Sequence, residues 1–388
     1  MKLKLNLETK SDTTKILPMI FFSCLILFGL LIILEPKKPT FSEIENRSLA
    51  AFPEVNLKTI ENREAMNGIE TYIADHFPER IFWVKTKTAI EMAIGSREIN
   101  GVYISKERFI HKMPAADNEN VNGNADNTNQ FADSYDTRVY VMLVPTAAAI
   151  YSDLVPYGAP NFNQKEYLAD VYDRLDGNIT PVDIYDELYS KKDEYIYYRT
   201  DHHWNTAGAF IAYQKAGEVM GFEPLLEQDF EIEHATDEFL GSRYSNVLYD
   251  GMKADTIDIY TSPSGAEVTS VEISVSPDSE PAVYDDMYFR EWLKTKNKYG
   301  VFFSGDQPFI SIKSTAKGGK ILVIKDSYAN CFIPFLTNHY SEVAVLDLRY
   351  INASPDEYAD INDFDSVLFL YNMIDIPLNL DLGDQTAG

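Results

Sequence analysis

The sequence predicts an α/β protein: a parallel sheet flanked by helices, carrying a β-rich insertion and preceded by one transmembrane helix. Three observations predict it. Residues 139–144 (VYVMLV) and 321–324 (ILVI) are short, continuous, mostly branched apolar runs, as strands buried on both faces of a parallel sheet require. Segments with apolar residues at helical spacing, 164–175 and 207–220, alternate with strand runs, and that alternation lays helices over a sheet. Residues 16–34 run nineteen positions without a charge.

At about 1.5 Å per residue that uncharged run makes a helix of roughly 28 Å, close to the hydrocarbon thickness of a bilayer. Lys2, Lys4, Lys10 and Lys15 accompany it, so the positive-inside rule sets residues 1–15 in the cytoplasm and the rest of the chain outside. The competing reading is a cleaved signal peptide. The run exceeds an ordinary signal core, and Glu35, Pro36, Lys37 and Lys38 follow it in place of a small-x-small cleavage site. A single-pass cell-membrane anchor is therefore expected. Residues 35–60 form a polar, proline-bearing linker, and residues 61–388 form the extracellular domain. Residues 60–94 suit helix with a break at His76, Phe77 and Pro78, where His76 is expected to pack. Residues 114–136 are rich in Asn, Asp and Ala and suit a mobile surface loop.

The strand at 139–144 ends at Pro145 and Thr146, the helix of 164–175 follows, and residues 182–185 suggest the next strand. Thr206 or Asn205 is positioned to cap the helix of 207–220. Across the insertion, residues 223–299, the pattern turns to short alternating segments such as 257–260 and 268–275. This insertion is either a lid or glycan contact, through Tyr284, Tyr288, Phe289 and Trp292, or a small satellite core. Residues 301–303, 321–325, 343–346 and 367–370 complete a sheet of about five or six strands.

Composition bounds the function. The chain of 388 residues carries 34 Lys and Arg against 60 Asp and Glu, a net charge of -26, and such a field repels nucleic acid. It also disfavours a polyanionic glycan unless basic residues are focused at the site. The two cysteines cannot pair, because Cys24 lies in the apolar run and Cys331 in the folded domain. Gly-rich phosphate loops, zinc-ligand spacing and internal repeats are absent, so neither cofactor nor metal is expected.

The chemistry points to residues 200–205 (TDHHWN). An acid two residues before a histidine can accept the ring N–H, fix its tautomer and stabilise the imidazolium formed when the other nitrogen takes a proton. Such a pair needs a nucleophile, and Ser327 follows the apolar run at 321–324, as a buried strand delivers a serine to a sheet edge. Each feature has a plainer reading: Asp-x-His before a helix also describes an N-cap beside a satisfied histidine, and a serine after a strand also caps helices. His202 is the alternative base to His203. The oxyanion donors expected are the backbone N–H groups of Ser327 and Tyr328 and the turn at Gly305. Arg349 either positions an acceptor sugar or pairs with Asp326, and Trp204 is expected to pack.

The strings TDHHWNTAGAF and KDSYANCFIPFL resemble the DHHW family of bacterial surface proteins. Further matches are FSEIENRSLAAFP (41–53), DHFPERIFW (75–83), VPTAAAIY (144–151), FLGSRYS (239–245) and VLDLRY (345–350). That family is similar to the SGNH-hydrolase-like domains of alginate O-acetyltransferases. The resemblance implies an SGNH-hydrolase-like sheet and a Ser327-His203-Asp201 triad, with the acid and histidine ahead of the serine. It also implies O-acetylation of a cell-surface polysaccharide beside a membrane-bound O-acyltransferase. Gly305-Asp306 stands where relatives often carry Gly-Asn, which puts a side-chain oxyanion donor there in doubt. A carbohydrate esterase, and a non-catalytic glycan-binding or scaffold protein of an exopolysaccharide system, remain the alternatives.

Overall fold

The structure, a computed structural model, describes residues 10–34, 39–113 and 118–373. Its internal contacts divide the chain into two units, Met1–Gly95 and Ser96–Gly388. In the first, helix Lys10–Leu34 contains the stretch Lys15–Ile32, long and apolar enough to be a membrane span or a signal sequence. Lys2, Lys4 and the 35–38 segment that bear on its orientation and cleavage lie outside the described residues. Helices Glu64–Asp75 and Arg80–Ala93 follow, and the chain breaks between them. Asp75 anchors the break, taking Arg47 Nη2 at 2.6 Å and the Ala50 N–H at 2.8 Å. The hydrogen bond from Arg47 outweighs burial and holds its carboxyl at about 2. His76 packs here, its ring nitrogens 2.9 and 3.1 Å from the carbonyls of Tyr72 and Pro39.

Eight strands build the sheet of the second unit: β1 (Arg138–Val144), β2 (Ile179–Pro181), β3 (Val268–Ser274), β4 (Ala282–Tyr284), β5 (Phe309–Ser314), β6 (Gly318–Lys325), β7 (Tyr340–Leu346) and β8 (Ser366–Asn372). Their order is β4-β3-β5-β7-β6-β8-β1-β2. From β7 to β2 every pairing is parallel, while β5, β3 and β4 add antiparallel strands at one edge. β6 shows why its sequence is continuously apolar: Ile321 and Val323 enter one core and Leu322 and Ile324 the other. Helix Thr206–Met220 covers the first face through Ala209, Ala212, Tyr213 and Ala216. Helix Gln164–Tyr172 covers the second through Leu168 and Val171.

Four expectations change. The polar stretch expected as a mobile loop contains helix Asn118–Ser134; residues 114–117 lie outside the described residues. Ala125, Thr128, Phe131 and Ala132, three or four residues apart, form a narrow buried stripe that the Asn and Asp of the other faces mask in composition. Phe131 meets the Phe369 ring edge-on at 5.1 Å. The second strand is Ile179–Pro181, not 182–185, because Tyr185 already opens a helix. Residues 301–303 are no strand: a 3-10 turn, Lys298–Val301, leads into positive φ at Phe303 (57°), Ser304 (61°) and Gly305 (86°). Nor is the insertion a separate lid. Strands Glu231–Phe239 and Asp255–Thr261 pair with each other, while β3 and β4 extend the main sheet. Tyr288 and Phe289 are buried in the larger core, Trp292 packs against that core, and Tyr284 alone of the four aromatics is exposed.

Candidate active site

β6 ends at Lys325, and the chain turns at once into the 3-10 segment Ser327–Cys331, which Asp326 caps by accepting the Tyr328 N–H at 2.8 Å. Ser327 thus stands just beyond the carboxyl end of a central parallel strand, where open α/β sheets place their sites. The opposing loop is closed by a backbone bridge between Tyr197 and Trp204. Beyond it Asn205, and not Thr206, caps the next helix by accepting the Gly208 N–H at 3.0 Å; the Thr206 hydroxyl donates to the Asp258 carbonyl.

Across these two segments His203 Nδ1 lies 2.5 Å from Asp201 Oδ1, and His203 Nε2 lies 2.7 Å from Ser327 Oγ. An ionised carboxylate only accepts, so Nδ1 carries the hydrogen and Nε2 is left to accept from the Ser327 hydroxyl. All three residues are at most 8% exposed. Asp201 also accepts the backbone N–H groups of His203 at 3.1 Å and Ser242 at 2.7 Å. Burial opposes its charge, but the adjacent imidazoles and their hydrogen bonds prevail and hold the carboxyl well below the usual range. Gly241 permits this approach, since a Cβ there would lie 2.3 Å from Asp201 Oδ2.

His202 takes another direction. Its Nδ1 lies 2.8 Å from Ser242 Oγ and 3.4 Å from Asp201 Oδ1, and burial, then the neighbouring His203, lowers its pKa. Three further contacts fix the loops to each other. Trp204 Nε1–H donates to the Tyr328 carbonyl at 2.8 Å, the Tyr328 hydroxyl donates to the His202 carbonyl, and the Tyr299 hydroxyl donates to the Ser327 carbonyl at 3.1 Å. The Tyr299 ring also stacks on His203 at 4.2 Å between centroids.

The expected oxyanion donors are largely engaged. The Tyr328 N–H is given to Asp326, and the Gly305 N–H is given to the Phe302 carbonyl at 3.0 Å. The Ser327 N–H opens its 3-10 segment, a position with no acceptor earlier in the helix. Asp306 is an ion-pair corner, accepting Lys325 Nζ at 2.9 Å, Asn330 Nδ2 at 3.0 Å and Arg349 Nη2 at 3.3 Å. Arg349 forks onto Asp347 at 2.7 and 2.9 Å. Asp326, expected as its partner, instead accepts from the Asn372 side chain and N–H, each at 2.7 Å, and lends Arg349 only a weaker attraction. Asp201, His202 and His203 bring donor atoms within 4.8 Å of one another, a spacing that could hold a cation. Those atoms are largely committed to the hydrogen bonds above.

Ser327, His203 and Asp201 are legible in the sequence, and most of the groups that hold them are not. Gly241 and Ser242 carried a signal, in the FLGSRYS segment; Tyr299 carried none.

The DHHW family model matches residues 114–346. This chain belongs to the DHHW family. Among solved structures, a DHHW family protein from Eubacterium siraeum is similar over 71% of this chain and 91% of that one, at 25% identity and a TM-score of 0.60. Bacillus cereus PatB1, described with a sulfonyl adduct, is similar over 72% of this chain and 96% of that one, at 21% identity and a TM-score of 0.61. The O-acetyltransferase domain of Pseudomonas putida AlgJ aligns over 73% and 94%, at 14% identity and a TM-score of 0.44. No curated protein matches. The DHHW chain shares its α/β fold with these proteins, and its serine stands at the end of a central strand.

Proposed function

We propose that this DHHW protein is a membrane-anchored extracellular serine acyltransferase that O-acetylates a cell-surface polysaccharide. The observation that carries it is the unbroken hydrogen-bond chain Asp201–His203–Ser327, at 2.5 and 2.7 Å. In this reading His203 Nε2 takes the Ser327 proton as Oγ attacks the acyl carbonyl, while Asp201 steadies the imidazolium. The tetrahedral intermediate collapses, the leaving group departs with the proton held by His203, and the acyl group stays on Ser327. A sugar hydroxyl, deprotonated by the same imidazole, then attacks the acyl-enzyme. Water in that place would make an esterase of the same residues.

The outward location rests on the apolar helix read as an uncleaved anchor. The Met1–Gly95 unit also exposes Phe82, Trp83, Ile90 and Ile94, apolar surface suited to a membrane interface. A membrane-bound O-acyltransferase is the partner proposed to supply the acyl group. One observation favours a second reading, a glycan-binding scaffold without turnover: the Tyr328 and Gly305 N–H groups already have acceptors, leaving few donors for an oxyanion.

The test is hydrolysis of p-nitrophenyl acetate by the full chain in detergent. Turnover that disappears in Ser327→Ala supports the enzyme, and an equal rate in that variant rejects the nucleophile. A sulfonyl fluoride supplies a second arm, because sulfonylation requires an activated hydroxyl. PatB1 is described with a sulfonyl adduct, and here the added mass is expected on Ser327 and absent from Ser327→Ala. No turnover together with no adduct favours the scaffold.

A further inference from the structure

A cavity of about 550 Å³ opens in the Ser96–Gly388 unit, lined by residues 106–108, Tyr151, residues 192–195, Arg199 and residues 251–253, with Asp153 and Leu154 completing its wall. In a chain of net charge -26 it gathers five cations, Lys106, Arg108, Lys192, Arg199 and Lys253. Its four carboxylates, Glu107, Asp153, Asp193 and Glu194, belong to exposed residues, and only Asp153 pairs with one of these cations, Lys192 at 3.8 Å.

Arg108 sets the cavity apart. It is 5% exposed, its guanidinium lies 3.4 Å from the Tyr151 ring centroid and interacts with that side chain, and it donates to the Tyr197 carbonyl at 3.4 Å. Its Nε is buried without a hydrogen-bond partner. A guanidinium offers five N–H donors, and burying one is costly unless its charge and donors are met; Asp255 attracts this one, but its oxygens serve other donors. Arg199 lies over Tyr195 at 4.1 Å and 3.7 Å from Asp255. The Asp255 oxygens are already taken by the Tyr195 hydroxyl, the Arg199 and Thr200 N–H groups and the Thr200 hydroxyl, at 2.5 to 2.8 Å. Burial pulls the Arg108 guanidinium below its ordinary value and the like charge of Arg199 acts in the same direction, against an opposing pull from Tyr151 and Asp255. Both effects would ease if an anion entered.

We propose that this cavity binds an anionic group, a carboxylate or a phosphate, held by the Arg108 and Arg199 guanidiniums with Lys106 and Lys253 at its mouth. The planar fork of a guanidinium matches both anions, and its aromatic backing keeps that fork in place. This assignment answers the objection that so acidic a chain repels acidic ligands, because the cations are focused where one would sit. It is independent of whether Ser327 is a nucleophile, and no bond is made or broken.

The experiment is calorimetric titration of the full chain in detergent with inorganic phosphate and, separately, with glucuronate, glucose serving as the neutral control. Saturable binding of either anion that weakens with added salt is expected, and the stronger of the two identifies the source of the charge. Arg108→Gln or Arg199→Gln should weaken it about tenfold or more, the loss of a charge-assisted hydrogen bond. Unchanged melting temperature serves as the folding control. If Arg108→Gln does not fold, the exposed pair Lys106→Gln and Lys253→Gln takes its place, with weaker binding and a shallower salt dependence expected. No binding of either anion, equal binding of glucose, or unchanged affinity in the variants overturns the proposal.

Discussion

Ser327 can donate to His203 only while the imidazole is held from its far side, and that duty falls on Asp201, whose carboxylate is itself fixed by the Ser242 N–H. Asp201→Asn should therefore lower ester turnover by about four orders of magnitude, as loss of the orienting acid does in serine hydrolases. His203→Ala should be far more damaging than His202→Ala, since His202 faces Ser242; equal losses would reassign the base. Gly241→Ala tests the support that Asp201 receives from its neighbours. Its methyl would press on Asp201, so turnover should fall while the melting temperature changes little, and an undiminished rate would show that the carboxylate has room to move. Cys331 provides a readout free of catalysis. Burial pushes its thiol up to about 12, so in a Cys24→Ser background it should resist a disulfide reagent at pH 8 until the chain unfolds.

Strands β5, β6 and β7 meet below the serine around a buried charge. Lys325 is fully enclosed and reaches Asp306 at 2.9 Å and Asp347 at 3.0 Å. Burial works against its ammonium, yet the two carboxylates raise its pKa, while Asp306 is depressed despite its own burial. Lys325→Met leaves Asp306 and Asp347 to share Arg349 and should cost about 3 to 5 kcal/mol, read as a lower melting temperature. The stabilisation has two limits. The raised Lys325 contributes fully below its unfolded value of about 10.4 and is lost as pH climbs through its folded value. The depressed Asp306 contributes above its unfolded value of about 3.9 and is lost as pH falls through its folded value. The gap between parent and variant melting temperatures should thus be widest from about pH 4 to pH 10 and narrow on both sides; a gap independent of pH would mean that packing, not charge, accounts for the loss. At this scale the sequence was legible where burial is two-sided. β1, β6, β7 and β8 each contain a continuous apolar run, and each run marks its strand in the sequence. Helix Asn118–Ser134 was not marked so, because its buried stripe is only a few residues wide and Asp126, Asn127, Asn129, Gln130 and Asp133 interrupt it.

For the molecule as a whole, the anchor reading predicts that the chain sediments with membranes and stays there through alkaline carbonate extraction, with the Ser96–Gly388 unit open to protease added outside the cell. Release by carbonate, or a mature N-terminus beyond residue 34, would favour a cleaved signal. Much of this protein follows from its sequence alone: an apolar run long enough for a bilayer, strands whose branched runs require cover on both faces, and an Asp-x-His pair with a distant serine after a strand. These are local patterns, set by spacing along the chain. Only tertiary structure decided that residues 124 positions apart meet at 2.7 Å, that Gly241 leaves space for Asp201, and that five cations from separate loops line one cavity. Such features depend on which loops the parallel sheet brings to one side, and crossover connections set that through contacts between distant segments.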